Sequence, residues 1–492
     1  MRSAPPRFTG QYLLLHAAHA RFDKLSWPTH HWGDYRLWVA PDQHYQEEKT
    51  AWGKVGLIGF AFHAAHPEWS VADILGRWPK ETAAGLDYLD LLCGNFAVLI
   101  ARQNGALEMY NDASGVMKIF YWRQHGQIPA VATDPALLKY AVPITPDTSE
   151  RAAAFYESAF FKRTQFRAGD KTAYTDVWQC QPNHSLHLQE AAVRRYFPRK
   201  PRQALAPEEA AERLHRNLTN AVQAAAQRYQ LRCSLTAGWD SRLVLSATLP
   251  LRKQVQYYTF KKDTHPDKDP DLLVPQQMAR DLGLPYEVIR VPSDMPPELE
   301  ARARESYDRF PLQRFDHVIN GFGLFDKARD LALLGAVSEV CKNYYDTAAI
   351  TDGTSLAKAA HFPVCAYTVD HFQGVYDEFA ELEKRLGYPK KDIIHWEQDI
   401  STFAAQGMQY NAFAARTFSP FNCRDSIHAV LSIPRHLRDG QTHPFYRMYL
   451  KKYHPELLRY PINPSWRRRL MVLGKKTGAY PLYKMIATKL RK

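Results

Sequence analysis

Up to about residue 195 the apolar positions come in short runs, YRLWVA, VGLIGFAF, GNFAVLIA, ALEMYN, KIFYW, AVATD and SLHLQ, punctuated by Asn, Gly and Asp. Short apolar runs that alternate and end in turn formers predict strands, and this many in succession predict antiparallel sheets packed as a β-sandwich. At Pro207 the period changes. PEEAAERLHRNLTNAVQAAAQRY puts Pro at a helix start, acids in the first turn and an apolar stripe through Leu214, Leu218, Val222 and Ala225, the pattern of a helix lying on a core. Strand-like and helix-like segments then alternate through LRCSL, SRLVLSATL, VQYYTF, DLLVPQQMARDLG, YEVIRV, a helical region and LALLG. That alternation predicts a parallel α/β sheet. Gly283 marks the end of the second helix, and Pro275 predicts that this helix starts there. From about Tyr345 the pattern is mostly helical.

The change of period falls in PRKPRQALAP, residues 198 to 207, so the chain divides into 1–198 and 199–492; YAVPITPDTSER reads as a connection inside the first half. A length of 492 residues agrees with two or three domains. No apolar run approaches the roughly 18 to 20 residues that cross a membrane. The opening MRSAPPRFTGQYLLLHAA has no signal-peptide pattern, because His16 interrupts its apolar stretch. A cytoplasmic location is the expectation.

Six cysteines, Cys93, Cys180, Cys233, Cys341, Cys365 and Cys423, are scattered without CxxC spacing, which predicts buried thiols rather than zinc ligands or disulfides. The twenty histidines show no HExxH. Net charge is +13, concentrated in the segment from Trp466, which carries Arg467, Arg468, Arg469, Lys475, Lys476, Lys484, Lys489, Arg491 and Lys492 without an acid. It reads as a solvated basic helix, or as a segment attracted either to an anionic membrane surface, which would place the protein at the membrane periphery, or to nucleic-acid phosphate. Without an RNP, KH or zinc-finger signature, no specific nucleic acid is expected.

In an open parallel sheet ligands bind beyond the carboxyl ends of the strands, so the turns after LRCSL, after VQYYTF and after LALLG are expected to open onto one crevice, and the first and third of them carry candidate chemistry. CSLTAGWDSRLVLSA, residues 233 to 247, follows one strand with small residues, hydroxyls and an acid. Small residues let backbone N–H groups approach an anion at a helix N-terminus, and Thr236 and Ser241 add hydroxyl donors. Asp240 would repel phosphate unless a divalent cation intervened, so phosphate binding there implies Mg²⁺. GAVSEVCKNYY, residues 335 to 345, follows a later strand and offers Glu339 as a second carboxylate, while Lys342 and Arg242 are candidates to neutralise phosphate or leaving pyrophosphate. Neither turn is a Walker loop or a GxGxxG turn.

TAGWDSR resembles the SGGxDS pyrophosphate loop of the asparagine synthase family, whose members use ATP to adenylate a carboxylate and pass the acyl group to an amine. DYLDLLCGNFAVLIARQNGALEMYNDASGVMKIFYW is similar to that family's amino-terminal glutaminase domain, with the Asp-x-x-Gly turn at Asp112 and Gly115. GAVSEVCKNYY resembles its metal-binding turn, and SPFNCRDSIHAVLSIPRHLR its helix beyond the substrate pocket. The matches run in family order from about residue 85 to about 465. The resemblance implies an Ntn-hydrolase-like antiparallel domain followed by a PP-loop synthetase domain of the adenine nucleotide α-hydrolase-like kind, with ATP and Mg²⁺ as cofactors. It implies a pyrophosphate cradle of Thr236, Ala237, Gly238, Asp240 and Ser241, a metal held by Asp240 and Glu339, and adenine bordered by the backbone at Leu235 and Thr259.

The departures from the pattern shape the expected chemistry. Position 2 is Arg where glutamine-hydrolysing members place a nucleophilic Cys, and Cys93 lies inside a strand pattern without a free α-amino group beside it. Glutaminase activity is therefore not expected, and an amine supplied by the substrate is, as in relatives that close β-lactam rings or lasso peptides. Ala237 replaces a family glycine, Ala336 stands where an acid or tyrosine is expected, and the expected lysine falls near Asn463. Lys342 is the substitute candidate for that cationic role. The leading expectation is an AMP-forming amide ligase acting on a small-molecule, peptide or sugar carboxylate. The alternatives are a nucleotide-binding pseudoenzyme that scaffolds a biosynthetic pathway and a PP-loop enzyme that modifies nucleic acid.

Overall fold

The two longest apolar runs of the first half lack a polar face because both faces of their sheet are buried. Gly53–His63 and Leu92–Arg102 pair antiparallel along their full length, with Val55 opposite Ile100 and Phe62 opposite Cys93. Ile58, Ala97 and Leu99 enter one core while Leu57, Phe96 and Val98 enter another, the two-residue period of a strand. The computed structural model describes residues 6–19, 22, 24–309, 312–345 and 348–464. The basic segment from Trp466 lies outside them.

These strands centre a six-stranded antiparallel sheet, ordered Ala192–Arg195, His184–His187, Leu107–Asn111, Leu92–Arg102, Gly53–His63, Tyr45–Thr50. A second antiparallel sheet, ordered Val177–Cys180, Ile119–Gln124, Gln127–Ala132, Tyr12–His16, Tyr35–Val39, Thr29–Trp32, contributes Leu14, Leu37, Ile119 and Val131 to the core that holds Ile58 and Leu99. The first half is thus the layered antiparallel arrangement that the run pattern predicts. Tyr45–Thr50 escaped that pattern because YQEEKT is an edge strand with largely polar side chains.

The helix Pro207–Ala226 begins at Pro207 with Glu208 and Glu209 in its first turn. Its buried Leu214, Leu218 and Val222 join the same core as Val55, Phe62 and Val98, so the helix covers the outer face of the first sheet. Beyond it a five-stranded parallel sheet runs Tyr286–Val291, Gln256–Lys262, Gln230–Ser234, Asp330–Leu333, Arg416–Phe418. In order of appearance these are the third, second, first, fourth and fifth strands, which places the topological switch between Gln230–Ser234 and Asp330–Leu333. Arg416–Phe418, in the segment read as helical, is too short to announce itself. Pro275 does not start a helix. The helix runs Pro270–Leu282, capped by Asp269, whose side chain accepts from the Asp271 amide; Pro275 forfeits only the bond to the Asp271 carbonyl.

The two halves are joined by buried hydrogen bonds. Asp112 accepts from the amides of Ser114, Val116 and Met117 and from the Asn422 side chain, which also reaches the Gly94 carbonyl. Gly115 completes the turn at φ +63°, and a Cβ there would press on Asn111 and Pro182 at 3.2 Å. Asn95 donates to the Thr417 carbonyl at 2.7 Å, and Lys118 to the Ser401 carbonyl at 2.7 Å. Among the described residues no helix is long and apolar enough to cross a membrane.

Burial, with a smaller push from Arg167, lowers the Lys118 pKa from 10.5 to about 7. The unfolded chain therefore binds a proton that the native protein has released between about pH 7 and 10.5. Stability from this group is complete above that window and is lost as pH falls through it, at about 1.4 kcal/mol per pH unit. Lys118→Met is expected to flatten that slope when denaturant unfolding is compared at pH 7 and pH 9; an unchanged slope would show that Lys118 is not its source.

Candidate nucleotide-binding crevice

The strand Gln230–Ser234 hands over to the loop at Leu235. The Leu235 amide still pairs with the Tyr258 carbonyl at 2.8 Å, and its own carbonyl accepts from the Thr259 hydroxyl at 2.7 Å. Tyr286 in turn donates to Thr259 Oγ1 at 2.8 Å. The expected adenine border is thus a buried, hydrogen-bonded strand end. The Thr236 and Ser241 hydroxyls lie 2.9 Å apart and bond each other across the loop, and the Gly238 amide donates to Thr236 Oγ1 at 3.1 Å. Gly238 is the N-cap of the helix Trp239–Thr248, which carries Asp240 in its first turn. Ala237 takes no left-handed φ, so the Cβ it adds to a family glycine position costs no backbone strain. Its amide donates to the Asp271 carboxylate at 2.8 Å, and its carbonyl accepts from the Asn463 amide at 2.9 Å. Asn463 does lie beside the loop, and Asp271 joins it unforeseen.

Across the switch point, Asp330–Leu333 leads into the turn that carries Glu339. Gly335 lets the two turns touch: a Cβ on it would lie 2.7 Å from the Asp240 carbonyl carbon and 2.8 Å from Asp240 Cβ and the Ser241 amide nitrogen. Val337 adopts φ +73°, an outlier for a β-branched residue and the sort of strain that clusters at functional sites. Ser338 Oγ bonds Asp240, and the Ser338 carbonyl is fixed by the Tyr446 hydroxyl at 2.8 Å. Lys342 sets its ammonium 2.6 Å from Asp240 Oδ1 and 2.8 Å from Oδ2. The Ala336 carbonyl accepts from the Ser419 hydroxyl, and its methyl group offers nothing in place of an acid or tyrosine.

Glu339 offers an open acceptor where Asp240 has both of its oxygens engaged. Its Oε2 is buried without a hydrogen-bond partner. Its pKa is raised, first by burial and then by the charge of Asp240, with Lys342 and His395 opposing. The turns therefore bring Asp240, Glu339 and Lys342 into one electrostatic neighbourhood. Behind Glu339 stands a network that sequence reasoning missed. His395 Nε2 lies 3.1 Å from the Glu339 carbonyl, His395 Nδ1 lies 2.9 Å from Asp399 Oδ2, and the Tyr345 hydroxyl donates to the same oxygen at 2.6 Å. His395 opens a π-helical segment, His395–Ile400. Only the spacing of His395 and Asp399, four apart on a helix, could have suggested it.

Arg242 corrects its sequence reading. The guanidinium is fully buried and donates to the carbonyls of Leu457 at 3.0 Å, Tyr460 at 2.9 Å and Pro461 at 2.9 Å, with its pKa pushed down to about 10 by burial. It therefore ties down the segment that ends at Asn463 and does not face a pyrophosphate. Arg242→Met is expected to destabilise the fold by about 3–5 kcal/mol, because three carbonyls lose a charged donor. Denaturant unfolding measures it, and a loss below 1 kcal/mol would rule the tether out.

A metal fits what is present. Asp240 and Glu339 supply two hard carboxylates, one with an unpartnered buried oxygen, and together with Lys342 they sum to one negative charge. No group of three or more His, Cys, Asp or Glu side chains placed to hold a metal occurs among the described residues. Two carboxylates completed by phosphate oxygens and water is the habit of Mg²⁺.

No protein-family model matches the chain, and no curated protein matches it. Among solved structures, it is similar to the glutamine-dependent NAD⁺ synthetase of Acinetobacter baumannii, solved in complex with ADP, at 15% identity and a TM-score of 0.21; the match spans 34% of this chain and 32% of the synthetase. It is similar to the U34-tRNA thiolase NcsA of Methanococcus maripaludis, solved with its 4Fe-4S cluster, at 12% identity and a TM-score of 0.22, over 57% of this chain and 80% of the thiolase. Likeness at this level leaves the functional reading to the chain's own geometry.

Proposed function

We propose that the chain is an ATP-dependent, AMP-forming ligase of the PP-loop kind, which adenylates a carboxylate and transfers the acyl group to an amine brought by the substrate. The observation that carries this reading is the convergence of Asp240 and Glu339 at the switch point of the parallel sheet, with Glu339 Oε2 lacking a partner. In this reading Asp240 and Glu339 would hold Mg²⁺, which when bound would supply positive charge beside the phosphates. The loop Thr236–Ser241 and the helix N-terminus behind it cradle the phosphates. Lys342 moves from Asp240 to the developing pyrophosphate charge, and Leu235 and Thr259 border the base. The first half is an Ntn-hydrolase-like shell without glutaminase chemistry. Cys93 supports this, since it is fully buried beside Cys423 with its thiol pKa raised by burial.

A second reading, a nucleotide-binding scaffold without turnover, is favoured by one observation: the Ala237 amide and Asp240 already have partners within the chain, Asp271 and Lys342. Isotope exchange between pyrophosphate and ATP separates the two. Exchange stimulated by a panel of peptide, small-molecule and uronic carboxylates is the expected result; tight nucleotide binding with no exchange under any of them would establish the scaffold.

A further inference from the structure

Cys93 and Cys423 meet across the seam between the halves. Cys93 is the second residue of the strand Leu92–Arg102, and Cys423 is the N-cap of the helix Arg424–Leu431. They are far apart in sequence, yet an antiparallel bridge sets them directly opposite one another. Cys423 has extended backbone there, φ −140° and ψ 122°, so Cys93 has Phe62 as its neighbour on one side and Cys423 on the other.

The backbone bonds fix which kind of pair this is. The amide of Gly94, one residue after Cys93, donates to the carbonyl of Asn422, one residue before Cys423, at 3.2 Å. That is the non-hydrogen-bonded register of an antiparallel pair, in which the Cα atoms approach to about 4.5 Å and the side chains are close. Disulfides span Cα separations of about 4.4–6.8 Å, so the register suits a bridge.

The side chains agree with the backbone. The Cys93 thiol pKa is raised, first by burial and then by its hydrogen bond with Cys423. The Cys423 thiol also reaches the Asp90 carbonyl at 3.6 Å. Both residues are free thiols and fully buried. Among the described residues the other cysteines face different partners: Cys180 is opposite Ile119, Cys233 is opposite Leu333, Cys341 is beside Tyr446, and Cys365 Sγ lies 3.5 Å from Thr368 Oγ1.

We propose that Cys93 and Cys423 form a redox-sensitive latch between the halves, open as a dithiol and closed as a disulfide. The oxidant is a small disulfide, with oxidised glutathione as the probe. One protein thiolate attacks its sulfur and releases one glutathione; the other attacks the resulting mixed disulfide and releases the second. Two electrons pass to the reagent, and the two protein thiol protons end on the departing glutathione thiols. Burial keeps the closed pair protonated and out of reach, so exchange proceeds in molecules whose seam has opened locally. The bond reinforces a joint otherwise made of hydrogen bonds, Asn422 on Gly94 and Asp112 and Asn95 on the Thr417 carbonyl. It also closes most of the chain into one loop, which restrains the unfolded state.

Incubation of the full chain with oxidised glutathione tests it, in buffer and at a urea concentration just below the unfolding transition, where the seam opens more often. The readouts are intact mass, thiol titration in denaturant, peptide mapping and Tm. The expected product has lost two hydrogen atoms and two titratable thiols and carries a link between Cys93 and Cys423 in its digest. It melts about 3–5 °C above the reduced chain, until dithiothreitol reverses the gain. Cys93→Ala and Cys423→Ala, made separately, are each expected to lose the bridge and the rise in Tm. A digest without that link in either condition overturns the proposal. So does a linked chain whose Tm is unchanged or lower, because the bond would then distort the seam instead of holding it.

Discussion

Asp240→Asn is expected to lower Mg²⁺-dependent nucleotide binding and pyrophosphate exchange by at least about 100-fold, equivalent to about 2.7 kcal/mol. Asparagine keeps an oxygen for the Ser338 hydroxyl, so the local fold survives while the charge is lost. Two consequences follow, and they act in opposite directions on the binding of a metal-free anion. The metal loses one of two carboxylates, and Lys342, which rests on both oxygens of Asp240, is left as an uncompensated cation. A variant that bound free pyrophosphate more tightly yet lost its Mg²⁺ dependence would display both effects. Calorimetric titration with ATP, with and without Mg²⁺, reads them directly; wild-type Mg²⁺ dependence in Asp240→Asn would remove Asp240 from the metal site.

Gly335→Ala is the other large effect, and it acts by shape alone. The new methyl group would sit under 3 Å from three atoms at Asp240 and Ser241, two of them backbone, and backbone cannot rotate away as a flexible side chain would. The turns must separate, at about 2–3 kcal/mol of stability, and the distance between Asp240 and Glu339 grows with them. Nucleotide affinity is expected to fall at least about tenfold while the far side of the molecule stays native. Denaturant midpoint and nucleotide titration on the same preparation check it. A stable variant with unchanged affinity would show that close contact between the turns is not what assembles the site.

Much of this was legible along the chain because it follows from period and punctuation. The helix Pro207–Ala226 keeps its stripe at Leu214, Leu218 and Val222. The turns after LRCSL and LALLG hold Asp240 and Glu339 because strand ends fix where loops open. The failures are equally physical. Arg242 reads as a phosphate ligand from its place in DSR, but nearly every residue of Trp239–Thr248 is buried, so its charge had to find carbonyls inside. Asp271 looks like an ordinary first-turn acid of Pro270–Leu282, and only the tertiary approach of that helix brings it to the Ala237 amide. Val337 carries no sequence sign of its φ of +73°, since left-handed backbone is advertised by glycine and not by valine. The network of His395, Asp399 and Tyr345 is assembled across a long separation in sequence.

The most direct test is a crystal structure of the nucleotide complex grown with Mn²⁺ in place of Mg²⁺, read by its anomalous scattering. The account predicts one ion, about 2 Å from a carboxylate oxygen of Asp240 and from one of Glu339, with Lys342 turned onto the phosphates. An ion held by phosphate oxygens alone, with Lys342 still seated on Asp240, would contradict it.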